Sequence, residues 1–389
     1  MKPLSVVVTT TLNHNLLWAK LKPLGDVPAI GEIHLVCDWP GPEMPKVIYH
    51  ATGLRPDPFA GQFEELWQVR ILRKALPKPL ANAFLLSAVC VRRRCPVVMA
   101  YSLFPHGLSA WLVARVLRRK VYLHLIGSFQ DIEIDPRTHD NWFVKKLPAR
   151  SRVLTSLMKR LVRSADRVFV PGHRTARRLV AELSVDPQRV VVLHSCVDVD
   201  RFTPRPDMVP EFDIITAAGF TRRKRYDRFF EVVRRVASVR PGLRVAVLGS
   251  GPDKQQISRM VEALGLTDVV TLLGYRQDAE EYYPRARLFL LTSDQEGLSL
   301  ASMEAMACGL PVVVPNVGDM AEVAIPGETG FLIDPIDDVA QYCQAVNRLL
   351  DDESLHGRCA RAARALICGE HSHAVATRQW EALLANGLG

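Results

Sequence analysis

Two glutamates eight positions apart, Glu296 and Glu304, frame the residues best suited to chemistry. They stand in Ser293-Asp294-Gln295-Glu296-Gly297-Leu298 and, five residues on, in Glu304-Ala305-Met306-Ala307-Cys308-Gly309-Leu310-Pro311-Val312. The pattern predicts a helix over about 298–307, stopped by Gly309 with Pro311 just beyond. Eight helical residues span about 12 Å at the helical rise. That span suits a bound group with hydroxyls at each end and a diphosphate between them. Glu296, Ser299 and Glu304 are then the candidates for its sugar and ribose hydroxyls. Gly297 lets a ligand approach the backbone, and the amides of Gly297 and Leu298 at the helix start favour an anion. Taken alone, the two glutamates also read as a charge at a helix N-terminus and a salt-bridged helical residue.

A second constellation is Gly219-Phe220-Thr221-Arg222-Arg223-Lys224-Arg225-Tyr226-Asp227, with four basic positions in nine. Arginine grips a diphosphate bidentately and lysine meets it as a point charge. The competing reading is a solvated basic loop. Gly249-Ser250-Gly251 and Gly274-Tyr275-Arg276 each follow an apolar run. A lone Gly-x-Gly is often no more than a turn. His124 sits in the apolar run Val121-Tyr122-Leu123-His124-Leu125-Ile126, where a histidine is by itself more often a core residue. Asn13, His14 and His106 stand at strand ends and are candidate acceptor contacts.

Short β-branched runs precede these loops. Strands are expected at 5–10, 32–37, 97–101, 121–126, 167–170 and 190–194, then at 212–217, 244–248, 269–273, 288–291 and 311–314. Many are continuously apolar, as parallel strands covered on both faces are. Their alternation with helical stretches predicts an α/β protein of two doubly wound sheets. Ligands of such sheets bind at the carboxyl ends of the strands, where the candidate residues stand. The run Val197-Asp198-Val199-Asp200-Arg201-Phe202-Thr203-Pro204-Arg205-Pro206 has a linker composition. The expected domains are 1–204 and 205–369. A final helix in 370–389, carrying Trp380, Leu383 and Leu384, is expected to pack back on the first domain.

The block from Ser293 to Val312 resembles the retaining GT-B glycosyltransferases of family four, also called group 1. Their second domains carry Glu-x7-Glu within Ser-x-x-Glu-Gly, then Glu-Ala-Met-Ala-x-Gly-x-Pro-Val. Gly318, Glu322 and Gly327-Glu328-Thr329-Gly330-Phe331-Leu332-Ile333-Asp334-Pro335 continue the likeness, with Asp319 where many members have a second glycine. So do Ser195-Cys196-Val197-Asp198 and Phe202-x-Pro204. The likeness covers most of the chain from about residue 120 and is weak before it. It implies a GT-B fold, two Rossmann-like domains facing across a cleft, with an acceptor-binding first domain and a nucleotide-sugar-binding second domain. It further implies transfer of a hexose-like unit from a nucleoside diphosphate sugar to an acceptor hydroxyl with retention of configuration. A UDP-sugar is expected ahead of a GDP-sugar, and the acceptor is expected to be a glycan or lipid-linked sugar. The resemblance makes His124, Lys224 and Glu296 the catalytic candidates. Arg222, Arg223, Lys224, Gly297 and Leu298 would hold the diphosphate, Gly249 and Gly251 would form a donor loop, and Tyr275 or Arg276 would lie beside the base. Members commonly have an arginine directly after the first glycine of the basic loop. Phe220 stands there here, so Arg222 or Arg223 takes that role. No Asp-x-Asp metal motif stands out. Positive side chains can replace a cation, so metal independence and no further cofactor are expected.

The chain has 389 residues, 48% hydrophobic and 23% charged, which excludes a disordered chain and supplies two cores. The apolar stretch 80–91 is too short to span a bilayer. The first residues read as a strand rather than a signal peptide, and a cytosolic location with free thiols is expected. Residues 145–178 hold eleven Lys or Arg against one acid, Asp166, and exceed the +9 excess of the whole chain. With Leu154, Leu157, Met158 and Leu161 among its charges, part of this stretch reads as an amphipathic basic helix. Peripheral docking on the anionic inner face of the plasma membrane is therefore expected. A nucleic-acid partner is not, because Phe169 is the stretch's one aromatic residue. The rival readings are another GT-B enzyme, such as an epimerase or phosphorylase, and a non-catalytic scaffold.

Overall fold

The structure, a computed structural model, describes residues 3–10, 14–37, 43–51, 78–135, 144 and 151–385. It separates into two units, Met1–Cys196 with His373–Gly389, and Val197–Ser372.

The first unit is built on seven parallel strands: β1 Leu4–Thr10, β2 Ile30–Cys37, β3 Val47–Ala51, β4 Val97–Tyr101, β5 Lys120–His124, β6 Arg167–Val170 and β7 Val190–Val192. They lie in the order β3-β2-β1-β4-β5-β6-β7. The second unit has β8 Phe212–Ala217, β9 Val245–Leu248, β10 Val270–Gly274, β11 Ala286–Leu290, β12 Val312–Pro315 and β13 Gly330–Ile333. These are also parallel, in the order β10-β9-β8-β11-β12-β13. Both are the doubly wound order, in which the chain works outward from the middle in both directions. Two Rossmann-like units of this kind are those of the GT-B fold.

The continuous apolar runs make sense once both faces are covered. Along β9, Val245 and Val247 enter one core with Phe229 and Val233 of helix Tyr226–Val239. Ala246 and Leu248 enter the opposite core with Met303 and Met306 of helix Leu300–Ala307. Each such Val, Leu, Met or Phe side chain withdrawn from water contributes about 1.5–3 kcal/mol. Two strands went unexpected, β3 and β13, and both are edge strands. β13 is four residues between Gly330 and Pro335, which locally reads as a turn. Gly330 makes the strand possible, since a Cβ there would stand 1.9 Å from the Val312 carbonyl oxygen.

The division between units falls after Cys196, ahead of the expected 204. The Pro- and Asp-rich stretch is a strap bound to the second unit. Val197 pairs with Ser372, Phe202 is buried 6.0 Å from the Tyr283 ring, and Arg364 donates to the carbonyls of Val199, Phe202 and Ala307. Its composition marks many satisfied backbone groups rather than a free tether. The second unit likewise runs to Ser372 instead of 369. Helix His373–Ala385 belongs to the first unit, where Trp380 is buried 5.2 Å from Phe169 and His373 Nε2 lies 2.8 Å from Asp26. All eight cysteines are free thiols. Among the described residues no helix is long and apolar enough to cross a membrane.

Candidate active site

In the second unit the strand order reverses between β8 and β11, so the loops leaving these two neighbours meet at one place. The β8 loop turns through a 3-10 helix at Arg222–Lys224, then Arg225 adopts a left-handed conformation (φ 51°) before helix Tyr226–Val239. The β11 loop carries Thr292 to Ser299. Lys224 Nζ donates to Glu296 Oε1 at 2.5 Å, with the two side chains 12% and 9% exposed. Burial pushes the Glu296 carboxyl up. The charges of Lys224 and Arg223, with the Lys224 hydrogen bond, more than offset this and hold it below the usual carboxylate range.

Asp294 ties the two loops together. Its carboxylate accepts from Arg225 Nη1 at 3.1 Å and from the buried Arg228 Nη2 at 3.0 Å, while its amide donates to the Arg223 carbonyl at 2.8 Å. Arg228 Nη1 also donates to the Thr292 carbonyl, and the Thr292 hydroxyl donates to those of Lys224 and Arg225. Sequence reading passed over Asp294 and Arg228; their opposite charges, 66 positions apart, become a signal only once β8 and β11 are neighbours.

The helix expected from 298 starts at Leu300. Ser299 is its N-cap and accepts from the Ser302 amide at 3.3 Å, so its hydroxyl has a structural task. The amides of Gly297 and Leu298 donate to no carbonyl among the described residues. They are the groups an anion would find. Gly318 backs this turn at φ 54°, and a Cβ there would stand 2.0 Å from the Glu296 carbonyl oxygen. The Asp319 amide donates to the Gly297 carbonyl at 3.0 Å.

Glu304 is buried and has no ion-pair partner among the described residues, which sets aside the salt-bridged reading. The hydroxyl of buried Tyr283 donates to its Oε2 at 3.3 Å. Burial pushes the carboxyl up to about 8, against the Tyr283 hydrogen bond and the charge of Arg201.

Gly249 and Gly251 have a packing explanation. A Cβ on Gly249 would stand 2.0 Å from the Ala218 carbonyl oxygen, and one on Gly251 would stand 2.5 Å from that of Phe220. Phe220 is 1% exposed and meets the Tyr226 ring edge-on at 5.1 Å. Tyr275 stands 60% exposed, and the Arg276 guanidinium lies over the Tyr282 ring.

In the first unit His124 ends β5 inside the core. Its ring stacks on Phe169 at 4.3 Å, with Tyr101 at 4.2 Å, and is 2% exposed. Burial, with the charge of buried Lys20, holds it well below the usual histidine range and therefore neutral. The ring is thus packed as a core residue, and its buried Nε2 has no hydrogen-bond partner among the described residues. His106 is likewise buried, with Nδ1 2.8 Å from the Thr9 hydroxyl. Helix His14–Asp26 opens at His14, described by its backbone alone; Asn13 lies outside the described residues.

Comparison with known proteins places this geometry. The profile of the family described as "Glycosyl transferases group 1" matches residues 206–366, and that of the "Glycosyl transferase 4-like domain" matches residues 32–196. The chain belongs to the group 1 glycosyl transferases. Among relatives of this group 1 chain, the exopolysaccharide phosphotransferase SCO2592 of Streptomyces coelicolor is 30% identical over 56% of this chain and 23% of its own length. The N-acetyl-alpha-D-glucosaminyl L-malate synthase of Bacillus anthracis is 23% identical over 79% of each chain. The D-inositol 3-phosphate glycosyltransferase of Mycolicibacterium smegmatis is 31% identical over 50% of this chain and 48% of its own. The match thus spans a quarter to a half of several relatives. In fold, Anabaena HepE, solved in complex with UDP and glucose, matches 98% of the chain at TM-score 0.74 and 15% identity. Sucrose-phosphate synthase of Thermosynechococcus elongatus matches 98% at 0.71 and 18%. Within this group 1 chain, Phe220, which follows the first glycine of the basic loop, is given to the core.

Proposed function

We propose that the chain is a retaining glycosyltransferase that moves a hexose-like unit from a nucleoside diphosphate sugar to an acceptor hydroxyl. The observation that carries this is the Lys224–Glu296 ion pair at the β8/β11 switch point, beside the open amides of Gly297 and Leu298. A diphosphate entering there competes with Glu296 for the Lys224 ammonium. Lys224, a neighbouring Arg222 or Arg223, and the two amides then take up the charge that grows on the departing phosphate oxygens, a fixed electrostatic arrangement needing no metal ion. Glu296 turns to the sugar hydroxyls, and Glu304 receives ribose hydroxyls. Tyr275 or Arg276 lies beside the base. The attacking hydroxyl approaches the face the diphosphate leaves, and the leaving phosphate accepts its proton. His124, at the end of β5, positions the sugar through its unpartnered Nε2 and does not serve as nucleophile.

A UDP-sugar is the favoured donor, because HepE, alike in fold, is solved with UDP and with UDP-glucose. The acceptor is a glycan or lipid-linked sugar at an anionic membrane, with residues 145–178 drawing the protein there and no nucleic-acid partner. Binding and slow hydrolysis of UDP-, GDP- and ADP-sugars, compared between the native chain and Glu296→Ala, test the assignment. Weakened binding of one donor class supports it; equal binding of every donor by both proteins overturns it. Activity that EDTA abolishes would overturn metal independence.

A further inference from the structure

The basic helix Arg152–Ser164 cannot supply an apolar anchor. Its Leu154, Leu157, Met158 and Leu161 all turn into the first unit's core, leaving Val153 and the charged face outside. The helices beside it differ. Helices Lys78–Arg92 and Leu108–Val116 cover the same face of the sheet: Leu85, Leu86, Ala110 and Val113 share a core with Met158 and Leu161, and the Trp111 indole donates to the Ser164 hydroxyl at 2.8 Å. Outward, the first carries Leu80, Phe84 and Val91 at 52%, 51% and 57% exposure, and the second Leu112 and Val116 at 41% and 79%. Spacings of four and seven put each set on one stripe. Among the described residues nine large apolar side chains stand exposed, and six of them are on these three helices, so the exposure is gathered rather than scattered.

The charge around the stripes is equally one-sided. Residues 78–130 contain eight Lys or Arg and no Asp or Glu. Exposed Arg92 and Arg94 close the first helix, and exposed Arg115, Arg118 and Arg119 close the second. Apolar stripes rimmed by arginine match an interface where acyl chains lie beneath anionic headgroups. A second copy would bring like charges together, and a nucleic acid would gain nothing from Leu, Phe and Val.

We infer that the outward face of helices Lys78–Arg92 and Leu108–Val116 docks into an anionic lipid surface, with Leu80, Phe84, Val91, Leu112 and Val116 entering the headgroup–acyl boundary and the arginines holding lipid phosphates. The inference rests on the membrane part of the proposed function and names the surface that performs it.

Co-flotation with phosphatidylglycerol and phosphatidylcholine vesicles tests it, using the native chain, Leu80→Glu/Phe84→Glu/Val116→Glu, and Arg152→Glu/Arg160→Glu. Withdrawing one apolar side chain from lipid changes partition roughly tenfold, so the apolar variant should lose at least that much binding to anionic vesicles. It should keep native UDP binding and melting temperature, since the changed residues are exposed and outside the donor site. Anionic vesicle binding that persists in the apolar variant but vanishes in the arginine variant overturns the inference and leaves electrostatic docking standing. A native chain that binds UDP but no anionic vesicle overturns both. A native dimer that the apolar variant turns into a monomer makes the face a contact between copies and overturns lipid docking.

Discussion

Lys224 and Glu296, 72 positions apart, meet at 2.5 Å because β8 and β11 are adjacent, and each is nearly shielded from water. The pair positions the charge assigned to the diphosphate and keeps the Glu296 carboxyl ionised despite burial. Their relation ties stability to function.

Lys224→Met should therefore cost more than Lys224→Met combined with Glu296→Gln. The single change strands a buried carboxylate, worth roughly 3 kcal/mol of stability, whereas removing both charges leaves no uncompensated group. Urea unfolding of the singles and the double gives the coupling energy. A coupling near zero would show that the pair is held by its surroundings.

Asp294→Ala should loosen the β8 loop without unfolding the unit. Asp294 is about a third exposed, so the stability loss should stay near 1 kcal/mol after solvent screening. Donor KM should rise roughly tenfold, which is about 1.4 kcal/mol of lost positioning. Asp294→Asn, which keeps one acceptor oxygen, should recover part of it. Unchanged KM in Asp294→Ala would mean that the arginines hold their places alone.

Glu304 predicts a pH dependence with a definite sign. Its folded carboxyl titrates near 8, above the unfolded value of 4.5. A raised pKa contributes stability that is fully present below about 4.5 and lost as pH rises through about 8, because in that window the folded state binds the extra proton. The slope from this group is at most about 1.4 kcal/mol per pH unit. Glu304→Gln should flatten it, so the variant gains on the native chain between pH 5 and 8 and holds a constant margin above. Parallel stability curves for the two proteins would remove this assignment.

Gly318→Ala and Gly327→Ala separate backbone strain from site geometry. Both glycines have positive φ, 54° and 77°, so each substitution should cost about 1–2 kcal/mol for left-handed backbone. Only at Gly318 does the new Cβ also run into the Glu296 carbonyl, while at Gly327 it meets nothing within 4 Å. Donor affinity should fall in Gly318→Ala and stay native in Gly327→Ala. Equal affinity in both would mean the Glu296 turn adjusts freely.

The sequence was most legible where structure is local. Strands β4, β6 and β8 appear at their expected bounds, β4 because a strand buried on both faces is a continuous apolar run, β6 and β8 because each has an apolar centre. Helix Leu300–Ala307 ended where Gly309 and Pro311 said it would, but began two residues late, since Ser299 was free to act as a cap. The edge strands β3 and β13 escaped notice, being short and flanked by turn residues.

The chain's own text thus determined the α/β alternation, the paired Rossmann-like units, and the residue types that gather charge around Glu296. Tertiary structure alone decided which loops touch. It joined Asp294 to Arg228, drew the strap 197–206 onto the second unit, enclosed His124 among aromatics, and turned the leucines of the basic helix inward while leaving Leu80 and Phe84 outside. The reason is range. Periodicity, caps and stop signals act over a few residues and can be read from neighbours, whereas strand order pairs segments dozens of positions apart, and only that pairing determines which face of a helix is covered.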